Sequence, residues 1–222
     1  MEHTHSPKIT QLSLPGAILF IALIALPISS HAVDFHVGLG LGPATIEHNN
    51  AFDDGSLSNI DTDDDVLAVT VFGEMEFNRF VRLEFGILDG GFATVDADST
   101  GAFFPYYWFA GPVEVKYSVG GIKLGAVGSF PLAPNDSVKL LIKGGMIAWG
   151  SVVRLSDFWG DENDNDAGVD PYYGIGLEFD ISRLMAIRLQ HERFEVESDS
   201  DWFAKDYEFD YASTTMGVLF RF

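Results

Sequence analysis

Between Leu67 and Ile87 apolar and polar residues take turns along the chain. Leu67, Val69, Val71, Met75 and Phe77 alternate with Thr70, Glu74 and Glu76, and Val81, Leu83, Phe85 and Ile87 alternate with Arg82 and Glu84. Period two is the geometry of a strand with two unlike faces. Asn78-Arg79 falls where a tight turn would join the two arms, so the stretch predicts a β-hairpin.

The same pattern recurs. Val33 to Ile46 predicts a first strand, with Phe35, Val37, Leu39 and Leu41 on one face and Gly38, Gly40 and Gly42 on the other. Val113 to Pro131 predicts a fourth. Its apolar parity changes from odd (Val113, Val115, Tyr117, Val119) to even (Ile122, Leu124, Ala126, Phe130) at Gly120-Gly121, which predicts a bulge there. Strands over Val138–Leu155, Tyr172–Ile181, Leu184–Val196 and Phe209–Phe222 complete a set of eight. Long polar segments are expected at 47–64, 90–112, 156–169 and 197–208, and short turns at Ala133–Ser137 and Ser182-Arg183. Long and short connections alternate, as they do when one rim faces a confined compartment and the other faces outside.

A soluble barrel alternates as well. The choice rests on what shares the polar face. Glu74, Arg82, Glu84, Glu178 and Arg188 carry both signs, and Gly38, Gly40, Gly86, Gly174 and Gly176 share their parity. Small residues around long charged ones suit the filled interior of an eight-stranded barrel whose apolar face meets lipid. The last strand sets Met216, Val218, Phe220 and Phe222 against Gly217, Leu219 and Arg221, and the sequence stops on Phe222. The fold class expected is therefore all-β: a closed antiparallel eight-stranded up-and-down transmembrane β-barrel.

Residues 1–32 read as a secretory signal: Lys8, an apolar run from Leu12 to Ile28, then Ser30-His31-Ala32 before a cut that leaves Val33 first. The barrel domain is then 33–222. The 222-residue chain has no Cys, which excludes disulfides and thiolate metal sites. Its net charge of -20 argues against nucleic acid as a partner. The acid is concentrated between the strands, in Asp61, Asp63, Asp64 and Asp65 and again in Asp161, Glu162, Asp164 and Asp166. DENDNDAG superficially resembles a calcium loop but lacks its Gly and its terminal Glu. Solvated loops are expected, with weak divalent bridging to lipopolysaccharide phosphates as the sharper reading. Phe103, Phe104, Tyr106, Tyr107, Trp108 and Phe109 read as an interfacial aromatic belt, or as a contact patch.

FNRFVRLEFG, KGGMIAW, PYYGIGLEFDISRLMAIRLQHERF and the terminal GVLFRF, in that order, resemble the outer membrane protein A (OmpA) type of eight-stranded barrel over Val33 to Phe222. The resemblance covers the barrel part alone. It has no counterpart to that family's peptidoglycan-binding domain, so cell-wall anchoring is not expected. It implies insertion by the barrel assembly machinery, which reads a C-terminal signal, here Phe220 and Phe222. It also places Glu84, Glu178 and Arg188 in a lumenal charge cluster. Val127 stands where the family often has a lysine, and Lys143 or Lys123 is expected to substitute.

The cluster is structural or gating, and the structural plug is the favoured role. Outer-membrane lipid and lipopolysaccharide are the expected surroundings, and the barrel is expected to be a monomer. His191 lies on the lipid-facing parity near Thr214 or Thr215, with no Ser-His-acid set around it, so no enzyme and no cofactor is expected. A structural or surface-interaction role comes first, a narrow pore for small solutes or ions second, and a lipid-modifying enzyme a distant third.

Overall fold

A computed structural model describes residues 34–48, 57–100, 110–157, 160–198 and 207–222. The expected signal at 1–32 and the aromatic run at 103–109 lie outside them. The described residues form nine strands: β1 Asp34–His48, β2 Leu57–Asp63, β3 Asp65–Asn78, β4 Val81–Thr100, β5 Ala110–Pro131, β6 Val138–Asp157, β7 Gly160–Asp180, β8 Met185–Ser198 and β9 Tyr207–Arg221. All pairings are antiparallel, and contact between β4 and β5 closes the sheet into a ring. Eight strands make the ring. The short β2 leads through Asp64 into β3 and pairs with the upper part of β4.

Alternation sets the faces. On β1, Leu39 and Leu41 are exposed while Gly38, Gly40 and Gly42 face inward. On β4, Val81, Leu83, Phe85 and Ile87 look out and Arg82, Glu84 and Gly86 look in. The large exposed side chains here are hydrocarbons (Leu41 56%, Ile122 59%), and the buried set includes Glu84 and Arg188. Water would not tolerate that exterior at such density, whereas lipid requires it. On β3 the outward apolar run spans Leu67 to Phe77, the length a tilted strand needs to cross a bilayer. Ile122→Arg is expected to lower stability by about 2–4 kcal/mol, the cost of a cation on the lipid face, read as a lower urea midpoint in lipid vesicles.

Several sequence expectations change in detail. The tight turn is Arg79-Phe80, and Asn78 caps it, its Oδ1 accepting from the N–H groups of Phe80 (2.8 Å) and Val81 (3.1 Å). The segments expected to be long loops are largely strand. β4 runs on to Thr100, and β6 and β7 pair out to Asp157 and Gly160. Asp161, Glu162, Asp164 and Asp166 are thus strand residues, and strand geometry puts Asp161 on the opposite face from Asp164 and Asp166. Among the described residues no group of three His, Asp or Glu stands close enough to hold a metal.

The bulge is also elsewhere. β5 keeps one register against β6 throughout, and odd residues stay inward from Val113 to Ser129. The extra residue lies across the ladder on β4, between Asp89 and Phe92, where Gly91 adopts φ 79°, a left-handed conformation natural to glycine. The change of apolar parity at Gly120-Gly121 therefore marks a change of surroundings, with the backbone unbroken. Below it the hydrocarbons face lipid. Above it Val113, Val115, Tyr117 and Val119 face inward, and Glu114, Lys116 and Ser118 face out. The upper wall takes the arrangement of a water-standing sheet, and Ala110 to Val119 adds roughly 25 Å of height at ~3.3 Å per residue and ~40° tilt.

Proline limits one seam. Ile181 N donates to Met185 O, so odd residues of β7 address β8. Pro171 has no N–H to offer, and the β7–β8 ladder stops at Tyr172 opposite Phe194. Above that point, among the described residues, β7 pairs with β6 alone.

Candidate functional site: a lumen filled in two layers

The lower interior is ionic. Arg82 reaches across to β7, with Nη1 2.8 Å from Glu178 Oε2 and Nη2 3.1 Å from Oε1. Its Nη1 also donates to Glu74 and its Nε to Glu76, both at 3.2 Å. Arg188 grips Glu74 with two bonds of 2.6 and 2.9 Å and reaches Glu178 at 2.7 Å. Such paired, charge-assisted bonds are the strong ones in a site away from water. Phe72 lies under the Arg188 guanidinium, 4.8 Å from ring centroid to charge. The ring has room because residue 38 is glycine: a Cβ there would fall 2.2 Å from Phe72 Cζ.

One layer up, Lys143 Nζ sits 2.7 Å from Glu84 and 2.5 Å from Glu192, and Lys123 closes on Glu192 from β5. Tyr172 donates its hydroxyl to Glu84 at 3.3 Å. Toward the turns, Lys139 and Arg221 both meet Glu178 and Asp180. Six carboxylates (Glu74, Glu76, Glu84, Glu178, Asp180, Glu192) thus face six cations (Arg82, Lys123, Lys139, Lys143, Arg188, Arg221). This network is neutral among the described residues, so the chain's net charge of -20 lies outside it.

Above the ion pairs the filling turns to hydrocarbon. Ile46, Val95, Val115, Tyr117, Trp149, Phe194 and Tyr211 are buried in one apolar cluster. Phe194 and Tyr211 stack with centroids 4.7 Å apart. The polar tips find partners: Tyr117 donates to Ile46 O at 3.0 Å and Trp149 Nε1 to Asp170 at 2.5 Å.

The four residues singled out from sequence, Glu84, Lys143, Glu178 and Arg188, lie together in this network. Both lysines weighed as substitutes for the one absent at Val127 are in it. Glu74, Arg82, Lys123, Glu192 and Arg221 belong to it equally. Their signal was available: Arg82 and Glu192 share the inward parity of Glu84 and Arg188 on β4 and β8, and Glu74, Lys123 and Arg221 stand on the polar-face parity of β3, β5 and β9. Phe220 and Phe222 are exposed on the outward face of the last strand, where Phe222 N donates to Phe35 O at 2.9 Å. His191 faces outward, with Nδ1 2.9 Å from Thr214 Oγ1.

An inside-out antiparallel barrel with short turns at one rim is the architecture of bacterial outer-membrane β-barrels. Residues 18–222 match the family described as the outer membrane protein beta-barrel domain, and the chain belongs to that family. Its place is the bacterial outer membrane. Among solved structures it is similar to Ail, the attachment invasion locus protein of Yersinia pestis. Identity is 14%, 86% of this chain and 100% of that chain are covered, and the TM-score is 0.51. It is also similar to Neisserial surface protein A, at 10% identity over 85% of this chain and 97% of that chain, with a TM-score of 0.53. At these identities the likeness concerns the fold. No match was found among curated proteins.

Proposed function

We propose that this is a structural or surface-interaction protein of the outer membrane, a sealed barrel that holds a water-standing rim above the lipid. What supports the reading is the doubly filled interior, a neutral ion-pair lattice beneath an apolar core. Glu84, Lys143, Glu178 and Arg188 act in it as a structural plug, with no gating role. Breaking any one pair strands an uncompensated charge, and the hydrocarbon layer would still bar hydrated ions. The polar outer face of the upper half gives partners a surface to meet, and the segments at its rim would set their identity.

The same reading includes cleavage of residues 1–32 to leave a barrel beginning at Val33, insertion by the assembly machinery through Phe220 and Phe222, and a monomeric state. It includes no catalytic role, since His191 lies on the lipid-facing side beside a threonine. Planar-bilayer recording of the purified protein is the test. The expected record is flat at the noise level, and sustained unitary steps would favour a narrow pore instead.

A further inference from the structure

We propose that Lys116 and Arg154 form a binding site for the phosphorylated headgroup of an outer-leaflet lipid. The strand registers sort the outward residues into rows across β4 to β7. Ile87, Ile122, Ala148 and Val169 form an apolar row. Two rows higher, Phe92, Ser118, Val152 and Asn165 mark a mixed edge, with Phe92 71% exposed. The next row is Thr94, Lys116, Arg154 and Asn163. The row above it, Asp96, Glu114, Ser156 and Asp161, is acidic. The cations therefore stand where hydrocarbon ends and the acidic collar begins, which is the depth of lipid phosphates.

Two facts make this row more than a scatter of charge. Lys116 and Arg154 are directly opposite on neighbouring strands, an arrangement of like charges that disfavours pairing unless an anion bridges them. Glu114 answers Lys116 at 2.6 Å, and Arg154 Nε donates to the neutral amide oxygen of Asn163 at 3.0 Å. Across the barrel, Arg193 occupies the equivalent transition row, with Tyr173, Ala212 and Thr45 beside it and Glu195, Asp210 and Glu47 above. Arg193 is held by Asp210 at 3.0 Å and has no second cation opposite it, whereas the Lys116–Arg154 pair sets two cations against one paired carboxylate, Glu114. On a surface this acidic, anionic lipid would be repelled without such a contact.

The test uses the full barrel in neutral detergent, titrated with diphosphoryl lipid A, with the same lipid stripped of phosphate, and with inorganic phosphate, while the thermal midpoint and tryptophan emission are read. Diphosphoryl lipid A is expected to raise the midpoint and the other two to leave it unchanged. Lys116→Gln with Arg154→Gln is expected to weaken apparent affinity about 25-fold, about fivefold for each cation near an anionic surface. Arg79→Gln, at the opposite rim, is expected to bind as the parent does. Both variants change exposed side chains, and heat-modifiable gel mobility checks that they fold. Equal affinity in the double variant would overturn the proposal, as would equal binding of the phosphate-free lipid. Saturation by inorganic phosphate alone would likewise reject a lipid headgroup.

Discussion

Arg188→Ala is expected to lower the stability of the barrel by about 3–5 kcal/mol, the usual consequence of removing one partner from a buried ion pair. Both guanidinium nitrogens on Glu74 would be lost, along with the bond to Glu178. Glu74 and Glu178 would keep Arg82, and Glu84 would keep Lys143, so the site would carry surplus negative charge sealed from water. The measurement is a urea titration in detergent, with gel mobility of heated and unheated samples as an independent readout. Pairing Arg188→Met with Glu74→Gln removes charge of both signs, and this double variant is expected to lose less than the sum of its parts. Conductance should remain at baseline in each, because the apolar layer above is untouched. An unshifted midpoint for Arg188→Ala would show that the lattice does not hold the barrel together.

Val115→Asp should be nearly as damaging, for a different reason. Val115 is 1% exposed, set between Val95 of β4 and Leu155 of β6 in the upper apolar layer. A carboxylate there would have no cation to meet, and an uncompensated buried charge costs about 3–5 kcal/mol. Thr94→Asp, on the outward face of the adjacent strand, is expected to change stability by no more than about 0.5 kcal/mol. The contrast separates two arrangements of the same strand. Had β5 carried a bulge at Gly120-Gly121, Val115 would lie outside and its replacement would be harmless. Urea midpoints of the two variants, compared in one detergent, decide between them.

The lower half of the molecule was legible because lipid permits one solution. Where Leu67 to Phe77 and Val81 to Ile87 must face hydrocarbon, their alternating partners Glu74, Arg82 and Glu84 can go only inward, and parity collects them with Glu178 and Arg188. The exposed phenylalanines of the last strand followed from the same rule. The upper half was not legible in the same way. Acidic residues between apolar stretches look like loop, and the alternation of Asp and Asn along β7 carries no apolar mark of a strand. Only the ladder from β6 shows that these residues are paired.

What the chain's pattern settled alone was the strand period, the eight-membered ring and the sign of the lumen near the short turns, since each is a local consequence of which side chains hydrocarbon accepts. What required the folded ring was where the bilayer stops. Alternation says that two faces differ, and the medium on the far side decides which of them turns in. That medium changes partway up β5, so Ile122 looks outward, Val115 looks inward, and no backbone irregularity is needed on that strand. The extra residue that the sequence pointed to belongs to β4, where Gly91 can take a left-handed turn, and ion pairs such as Arg188 with Glu74 exist because closing the sheet brings distant strands face to face across a narrow interior.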